Sequence, residues 1–484
     1  MNKKPNILIV MTDHQRGDTV LPEHPAKTPN VAKLASEGLT FSNTFCPTAH
    51  CCPARATFHS GLYPSRHGIW NNVCNGQAIN KGLKQGVRLW SEDLAENGYS
   101  MHFSGKWHVS SEESPKDRGW HEHLVSGTAA EHHGKRWEDF KSVASLPEQA
   151  VRGDGEILRP GYSTYTLYKT LDEVKKNSHD EKVVAESLSI LDDVSKGDKP
   201  WCLFVGLIGP HDPYNVPRKY VDMYDLDDIQ LPKSYHDELF EKPYVYRKMR
   251  DMRFGQLSSR EVREAIRHFY AYCTYLDEMF GKILGKLDDL GQKDDTLVLY
   301  VSDHGDYCGD HGLFAKGVPA FRGAYHVPAV VRWPNGLKSH GGRIDKFVSL
   351  ADFAPTFLEV AGVKTERTFT GRSLYPFFEG IVPTDWRDDM HSQFNGVELY
   401  YTQRAVMTDN FKFVYNGFDR DELYNLKSDP DEMVNLAEEP GYMEVKRQMC
   451  RRMWRFACRE DDQATNPYIT TSLAPFGPAE AFRK

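Results

Sequence analysis

Cys51 and Arg55 lie four residues apart in AHCCPARATFHSGLYPSRHG, residues 49–68. Pro53 suits the first turn of a helix and Gly61 suits its end, so PARATFHS reads as a short helix. That spacing places Arg55 one turn after Cys51 on the same face. A thiol, a guanidinium and the free N–H groups of a helix N-terminus together would bind an anionic centre and attack it. A lone Cys beside an Arg is more often packing than chemistry, so the reading depends on what accompanies the pair. Asp13 and His14 directly follow the apolar run NILIVMT, Asp303 and His304 directly follow TLVLYVS, and His211 closely follows CLFVGLIG. An acid after a strand often only shapes a turn. Two Asp-His pairs at two such ends are instead a candidate set of metal ligands.

The elements that must position these residues are legible as patterns. PNILIVMTD, WCLFVGLIGPH and TLVLYVSDHG are continuous apolar runs of the kind found in parallel strands buried on both faces. TPNVAKLASEG has helical spacing and a glycine stop. SSREVREAIRHFYAYCTYLDEMFGKILGKLDDLG reads as one long amphipathic helix ending at Gly291. Strands alternating with helices predict an α/β fold with a mainly parallel sheet, whose strand ends share one rim. Residues 365–385 are loop-like. Beyond them RAVMTDNFKFVYN reads as one or two strands, DELYNLKSDPDEMVNL as a strand, a turn at SDPDE and a helix, and GYMEVKRQMCRRMWRFACRED as a further helix. This predicts a catalytic domain over 1–375 and a smaller C-terminal α+β subdomain over 376–484. The tail NPYITTSLAPFGPAEAFRK has no periodicity, is expected to pack on the body or on a second subunit, and leaves the oligomeric state open.

Composition narrows the field. The chain of 484 residues has a formal net charge of -8 and no Lys/Arg-rich block, which argues against a nucleic-acid partner. No apolar run is long enough to span a bilayer. MNKKPNILIVMTDHQ is read as the first strand rather than a leader, since its apolar part is short and ends in Asp13 and His14; a cytoplasmic protein is expected. The nine cysteines are odd in number and scattered, so neither a disulfide framework nor a zinc motif is expected.

CCPARATFHSGLYPSRHG resembles the signature of the sulfatase family, within the alkaline-phosphatase-like superfamily. PNILIVMTD with Asp13, GKWH with Lys106 and His108, GPHDPY with His211, SDHGDYCGDHGLFAKG with Asp303, His304 and Lys316, and DELYNLKSDPDEMVNLA are similar to the family's other motifs, in its order. On an extended segment Lys106 and His108 would point to one side. The resemblance implies a large mixed, mainly parallel sheet sandwiched by helices. It implies that a formylglycine-generating enzyme converts Cys51 to formylglycine, reading Pro53 and Arg55, with Cys52 in the variable position. It implies catalytic roles for Cys51, Arg55, Lys106, His108, His211 and Lys316, and one divalent metal on Asp13, His14, Cys51, Asp303 and His304. Ca2+ is the first expectation, with Mn2+ or Mg2+ as alternatives. One hydroxyl of the hydrated residue 51 attacks sulfur with help from Asp303. His211 or Lys316 protonates the leaving oxygen, and His108 assists the collapse that frees sulfate.

The implied substrate is a small-molecule or oligosaccharide sulfate ester, carbohydrate or aryl. A phosphonate monoester or phosphodiester hydrolase using the same formylglycine is the alternative, and a silent binding homologue the third reading. Many sulfatases carry Asp at the position of His14 and Asn at that of His304. The phosphonate monoester hydrolases supply precedent for His304 and lack the second Asp, which leaves ligation by His14 open. No second Asp/His cluster is seen for a two-metal phosphatase. RGWHEHLVSGTAAEHHGKRWEDF is read as a rim loop that either stacks on a sugar or is simply solvated. His67, Trp70 and Trp107 carry the same two readings, and His311 either meets the leaving group or braces its loop.

Overall fold

The computed structural model describes residues 4–128, 137–145, 151–172, 178–396, 399–466 and 468–483. An eight-stranded sheet runs in the order Gly342–Ile344, Leu39–Phe41, Ala329–Arg332, Thr296–Ser302, Asn6–Asp13, Trp201–Pro210, Ser100–Lys106, His121–Ser126. The last five are parallel to their neighbours within that group, whereas Ala329–Arg332 is antiparallel to the strand on either side. The sheet is therefore mixed and mainly parallel, with helices packed on it. Parallel strands need helical crossovers, which cover both faces. Ile7 through Met11 are accordingly all 0% exposed, and their run shows no polar alternation.

The crossover helices close their own ends. The helix Ser259–Asp289 starts at Ser258, whose Oγ accepts from the Glu261 N–H at 3.3 Å while the Glu261 carboxylate accepts from the Ser258 N–H at 2.8 Å. Gly291, at φ 65°, follows its end. Asp277 on the same helix is buried and accepts from the N–H groups of Asn30 and Val31 at 2.9 and 2.8 Å. One helix thus supplies the carboxylate that satisfies the N-terminus of another, Pro29–Ser36.

A second, antiparallel sheet takes the strands Asp389–Phe394, Gln403–Thr408, Phe411–Tyr415 and Glu422–Asn425 in sequence order. One face joins the main core through Met390, Phe394, Ala405 and Met407. The other buries Val406, Phe413 and Leu423 against Met449, Met453 and Trp454 of the helix Met443–Arg459. This sheet also fixes the segment before Cys51. Thr48 Oγ1 donates to the Gln393 carbonyl at 2.5 Å, and the Gln393 N–H donates to the Pro47 carbonyl at 2.8 Å. The tail packs on the body, with Trp454 Nε1 donating to the Phe476 carbonyl and Glu480 paired with Arg447.

Two expectations are corrected. No helix forms after SDPDE. The N–H groups of Met433 and Val434 donate to Asp429 at 3.0 and 2.9 Å, and Asn435 Oδ1 accepts from Leu423 and Ala437 at 2.9 and 3.0 Å. Side-chain acceptors have taken the donors a helix would use. The supposed rim loop begins instead with the edge strand His121–Ser126, while Trp120 is buried against Trp90 and Phe103. Residues 129–136 of that stretch lie outside the described residues, and Trp137–Ala144 is a helix. Among the described residues no helix is long and apolar enough to cross a membrane, and all nine cysteines are free.

Candidate active site

Asp13 and Lys106 are the last residues of their strands, and His211 and Asp303 immediately follow theirs. The four strands concerned are consecutive in the sheet, so a single rim receives all four side chains. The helix Cys51–Ser60 brings its N-terminus to the same rim. It starts two residues before PARATFHS, from His50 in extended conformation, and Gly61 at φ 73° ends it. Cys51 Sγ lies 3.0 Å from Lys316 Nζ, 3.3 Å from His304 Nε2 and 3.6 Å from Asp13 Oδ1. His108 and His211 also reach it. Ligand atoms of Asp13, Cys51, Asp303 and His304 all lie within 4.8 Å of one another, as do those of Asp13, His14, Cys51 and His211. The sequence's candidate metal ligands Asp13, His14, Cys51, Asp303 and His304 are therefore gathered at one point, with His211 and Lys316 beside them.

Arg55 is fully buried and ties three of these groups together. Its Nε donates to Asp303 Oδ2 at 2.8 Å, one terminal nitrogen to the Lys106 carbonyl at 2.8 Å, and the other faces Asp13 Oδ2 at 3.4 Å. Lys106 Nζ bonds Asp13 Oδ2 directly. Removing one partner of such a buried network leaves charge uncompensated. In chelator-treated protein, Arg55→Ala should cost about 3–5 kcal/mol of unfolding free energy. Urea unfolding beside the unsubstituted protein measures this; a loss below about 1 kcal/mol would mean the two acids are compensated elsewhere.

Lys316 Nζ donates to Cys51 Sγ and also meets His211 Nε2 at 3.2 Å and His14 Nε2. Both rings have their other nitrogen engaged. His211 Nδ1 meets the Asp212 carbonyl at 2.6 Å, and His14 Nδ1 meets Asp306 Oδ2 at 3.1 Å. Asp306 also accepts from the Tyr214 hydroxyl at 2.8 Å and from the Cys308 and Ala315 N–H groups at 2.8 and 3.0 Å. It pins the loop that carries Lys316. The second Asp/His grouping not seen in the sequence does exist, since His14, Asp212 and Asp306 also converge within 4.8 Å. Its acids already accept from Tyr165 and Tyr214. Asp306 and Asp212 are the residues sequence reasoning missed, although each lies within three positions of a residue it chose.

Other expectations resolve here. His108 does not continue the strand; it takes a left-handed conformation at φ 50° and still reaches Cys51. His311 braces its loop, with Nδ1 2.7 Å from Asp237 Oδ2 and its ring stacked 3.5 Å from Phe321. His67 bonds Thr57 and the Ile69 N–H, Trp107 is buried among His59 and Phe103, and Trp70 lies under Arg404. None of these three is a rim residue.

The electrostatics favour an anion at position 51. Burial alone would raise the Cys51 thiol, but Lys106, Lys316 and His304 bring it well below its ordinary value. Burial and Cys51 push the Asp13 carboxyl up, yet Lys106, His211 and Lys316 hold it well below the usual carboxylate range. Burial and the charge of Asp13 raise Asp303. Burial would lower Lys316, and Cys51 and Asp13 raise it instead, so it keeps its proton. Burial and Lys106 push His108 down to about 4, which leaves its ring neutral.

Comparison with known proteins agrees with this geometry. A family model described as sulfatase matches residues 5–363, and one described as N-sulphoglucosamine sulphohydrolase, C-terminal, matches residues 309–459. The chain is 30% identical over 447 residues to the choline-sulfatase of Rhizobium meliloti (strain 1021), covering 90% of this chain and 83% of that protein. It is 26% identical over 507 residues to the multifunctional alkaline phosphatase superfamily protein PehA of Trinickia caryophylli, covering 93% and 95%. Its fold is similar to that of the phosphonate monoester hydrolase of Agrobacterium radiobacter, at a TM-score of 0.77 and 24% identity over 94% and 96% of the two chains. Because the sulfatase match runs unbroken through every residue gathered at the rim, the chain belongs to the sulfatase family and is a hydrolase with the formylglycine-dependent, type I architecture of the alkaline-phosphatase-like superfamily.

Proposed function

We propose that this protein hydrolyses sulfate esters of small alcohols, carbohydrate or aryl, with residue 51 as nucleophile after conversion of Cys51 to formylglycine. The observation that carries this reading is the convergence of Lys316, His304 and Asp13 within 3.0–3.6 Å of the first side chain of a helix. Preorganised cations and N–H groups around a nucleophile stabilise the charge that develops as it attacks an oxyanion centre. Asp13, Asp303, His304 and residue 51 make a donor set that fits one divalent cation. Two carboxylates with one imidazole suit Ca2+, Mg2+ or Mn2+. When bound, the cation would supply Lewis-acid polarisation of a sulfuryl oxygen.

The chain's own groups do the rest. Hydrated formylglycine would offer two hydroxyls on one carbon, one to attack sulfur and one whose deprotonation expels sulfate. Arg55 and Lys106 hold residue 51 and balance the negative charge. Lys316, propped by His14 and His211, gives the proton now aimed at position 51 to the leaving oxygen. His108, neutral at ordinary pH, takes one up. Cys51, Pro53 and Arg55 are all buried in the folded chain, so the formylglycine-generating enzyme would act before folding is complete.

One observation favours a second reading. His304 presents an imidazole nitrogen to position 51, an arrangement with precedent in phosphonate monoester hydrolases. The test is a substrate panel on protein co-expressed with a formylglycine-generating enzyme: an aryl sulfate, sulfated mono- and disaccharides, choline sulfate, a phosphonate monoester and a phosphodiester. We expect the highest kcat/KM on a sulfate. Faster phosphonate or diester cleavage would assign the sister activity. No turnover, with a peptide mass showing unmodified Cys51 from the native host, would revive the silent homologue.

A further inference from the structure

The loop that aims Lys316 at position 51 is held on both sides of the lysine. Before it, Ala315 has a left-handed backbone at φ 59° and donates its N–H to Asp306 at 3.0 Å. After it, Val318 and Ala320 meet side chains of the small antiparallel sheet and of the helix Tyr244–Met252. Gln403, the first residue of its strand, and Tyr246 on that helix are both 0% exposed. Gln403 Nε2 lies 3.1 Å from the Val318 carbonyl oxygen, 2.8 Å from Asn416 Oδ1 and 3.0 Å from the Tyr246 hydroxyl. That hydroxyl donates to Glu422 Oε1 at 2.8 Å and accepts from the Ala320 N–H at 3.3 Å. Asn416 Nδ2 donates to the same Glu422 oxygen at 2.9 Å.

Gln403, Tyr246, Glu422 and Asn416 thus close a buried ring of hydrogen bonds that touches the loop at Val318 and again at Ala320. Lys412 Nζ bonds the Ala320 carbonyl as well, and the Tyr307 hydroxyl donates to the Pro319 carbonyl at 2.6 Å. Packing alone does not account for an amide at position 403. Gln403 Oε1 is buried and has no hydrogen-bond partner, and an orphaned acceptor destabilises a fold. The amide nitrogen, by contrast, is a fixed donor to a carbonyl two residues from Lys316. A lysine ammonium rides on a flexible stem, so it keeps one place only where the backbone that carries it is held.

Resting on the role given to Lys316 above, we infer that Gln403 and Tyr246 are positioning residues for the proton donor. They touch neither substrate nor residue 51. They fix Val318 and Ala320, and so the point from which Lys316 reaches Cys51 Sγ at 3.0 Å. The C-terminal subdomain is then a working part of the site, since Gln403, Asn416 and Glu422 all belong to it.

The test is a double-mutant cycle on formylglycine-bearing full-length protein, with alkyl and aryl esters of whichever class the substrate panel shows it to cleave. Gln403→Leu and Tyr246→Phe should each lower kcat about tenfold for an alkyl leaving group and less for an aryl one, with KM changed little. In a Lys316→Ala background the same substitutions should change kcat by less than about twofold, because the group they aim is gone. Circular dichroism melts establish that the variants are folded, and Tyr246→Phe, which keeps its ring, carries the test if Gln403→Leu does not fold. Equal losses in both backgrounds, or no loss in either, would overturn the inference. Loss of leaving-group discrimination by Lys316→Ala itself is read separately and judges the proton-donor role. Crystal structures of the two variants decide the positioning without turnover: Lys316 Nζ should have left its place beside residue 51, and an unmoved Lys316 would overturn the inference.

Discussion

Cys51→Ser should abolish sustained hydrolysis, lowering the steady-state rate by at least about three orders of magnitude, while still releasing one equivalent of alcohol. The reason lies in how little the substitution changes around the nucleophile. A serine oxygen would stand at the same helix N-terminus, within reach of Lys316 and His304, which lie 3.0 and 3.3 Å from the native Sγ. The groups that stabilise the first displacement remain in place, so attack on sulfur can occur once. Hydrated formylglycine would then expel sulfate with its second hydroxyl. A serine has no second hydroxyl on that carbon, and its ester could leave only if water attacked sulfur in a site closed by Arg55, Lys106 and His108. Rapid-quench measurement of alcohol and sulfate separates the steps: a stoichiometric alcohol burst, no sulfate, and an intact mass higher by one sulfuryl group. Continuous sulfate release by the serine variant would refute the aldehyde-based reading. Cys51→Ala, lacking any nucleophile, should show no burst.

The sequence reading succeeded where the physics is local. Continuous apolar runs mark strands buried on both faces, and a polar residue at the end of such a run must sit at the sheet's rim; this places Asp13, His211 and Asp303 there from the sequence alone. The helix with Cys51 and Arg55 was legible from Pro53 and Gly61. What was not legible depends on contacts between distant segments. Asp306 matters because it accepts from His14, Tyr214, Cys308 and Ala315 at once, and no spacing rule foretells that set. Among the described residues eight non-glycine positions have a left-handed backbone, and five of them, His14, His108, Cys308, His311 and Ala315, lie in the segments that build the site. Such conformations persist only where surrounding structure over-determines them, so GKWH read as extended although His108 is not. The strand His121–Ser126 was missed for the opposite reason. As an edge strand with a polar outer face it lacks the apolar run that revealed the central strands.

Lys316→Ala should discriminate between leaving groups. A proton on the departing oxygen matters in proportion to how basic that oxygen becomes, and a positioned general acid contributes about 10²–10⁴-fold where it is needed. Losses in that range are expected for alkyl and sugar sulfates, whose alkoxides are strongly basic. For a nitrophenyl sulfate, which leaves as a stable anion, the loss should be about tenfold, reflecting only one missing positive charge. A plot of log kcat/KM against leaving-group pKa should therefore steepen in the variant. Lys316 has the 3.0 Å approach to Cys51 Sγ that this role needs. His211 Nδ1 meets the Asp212 carbonyl and its Nε2 faces Lys316 at 3.2 Å; burial and Lys316 would lower its pKa, but Asp212, Cys51 and Asp13 raise it above the ordinary imidazole value. His14 is turned the same way by Asp306. Both rings thus prop the Lys316 ammonium over position 51, and His211 is a second group able to hold a proton there. His211→Ala should consequently loosen Lys316 and produce a weaker copy of the same leaving-group dependence. If instead Lys316→Ala lost activity equally across the series while His211→Ala steepened the plot, the proton would come from His211, and Lys316 would act through its charge alone.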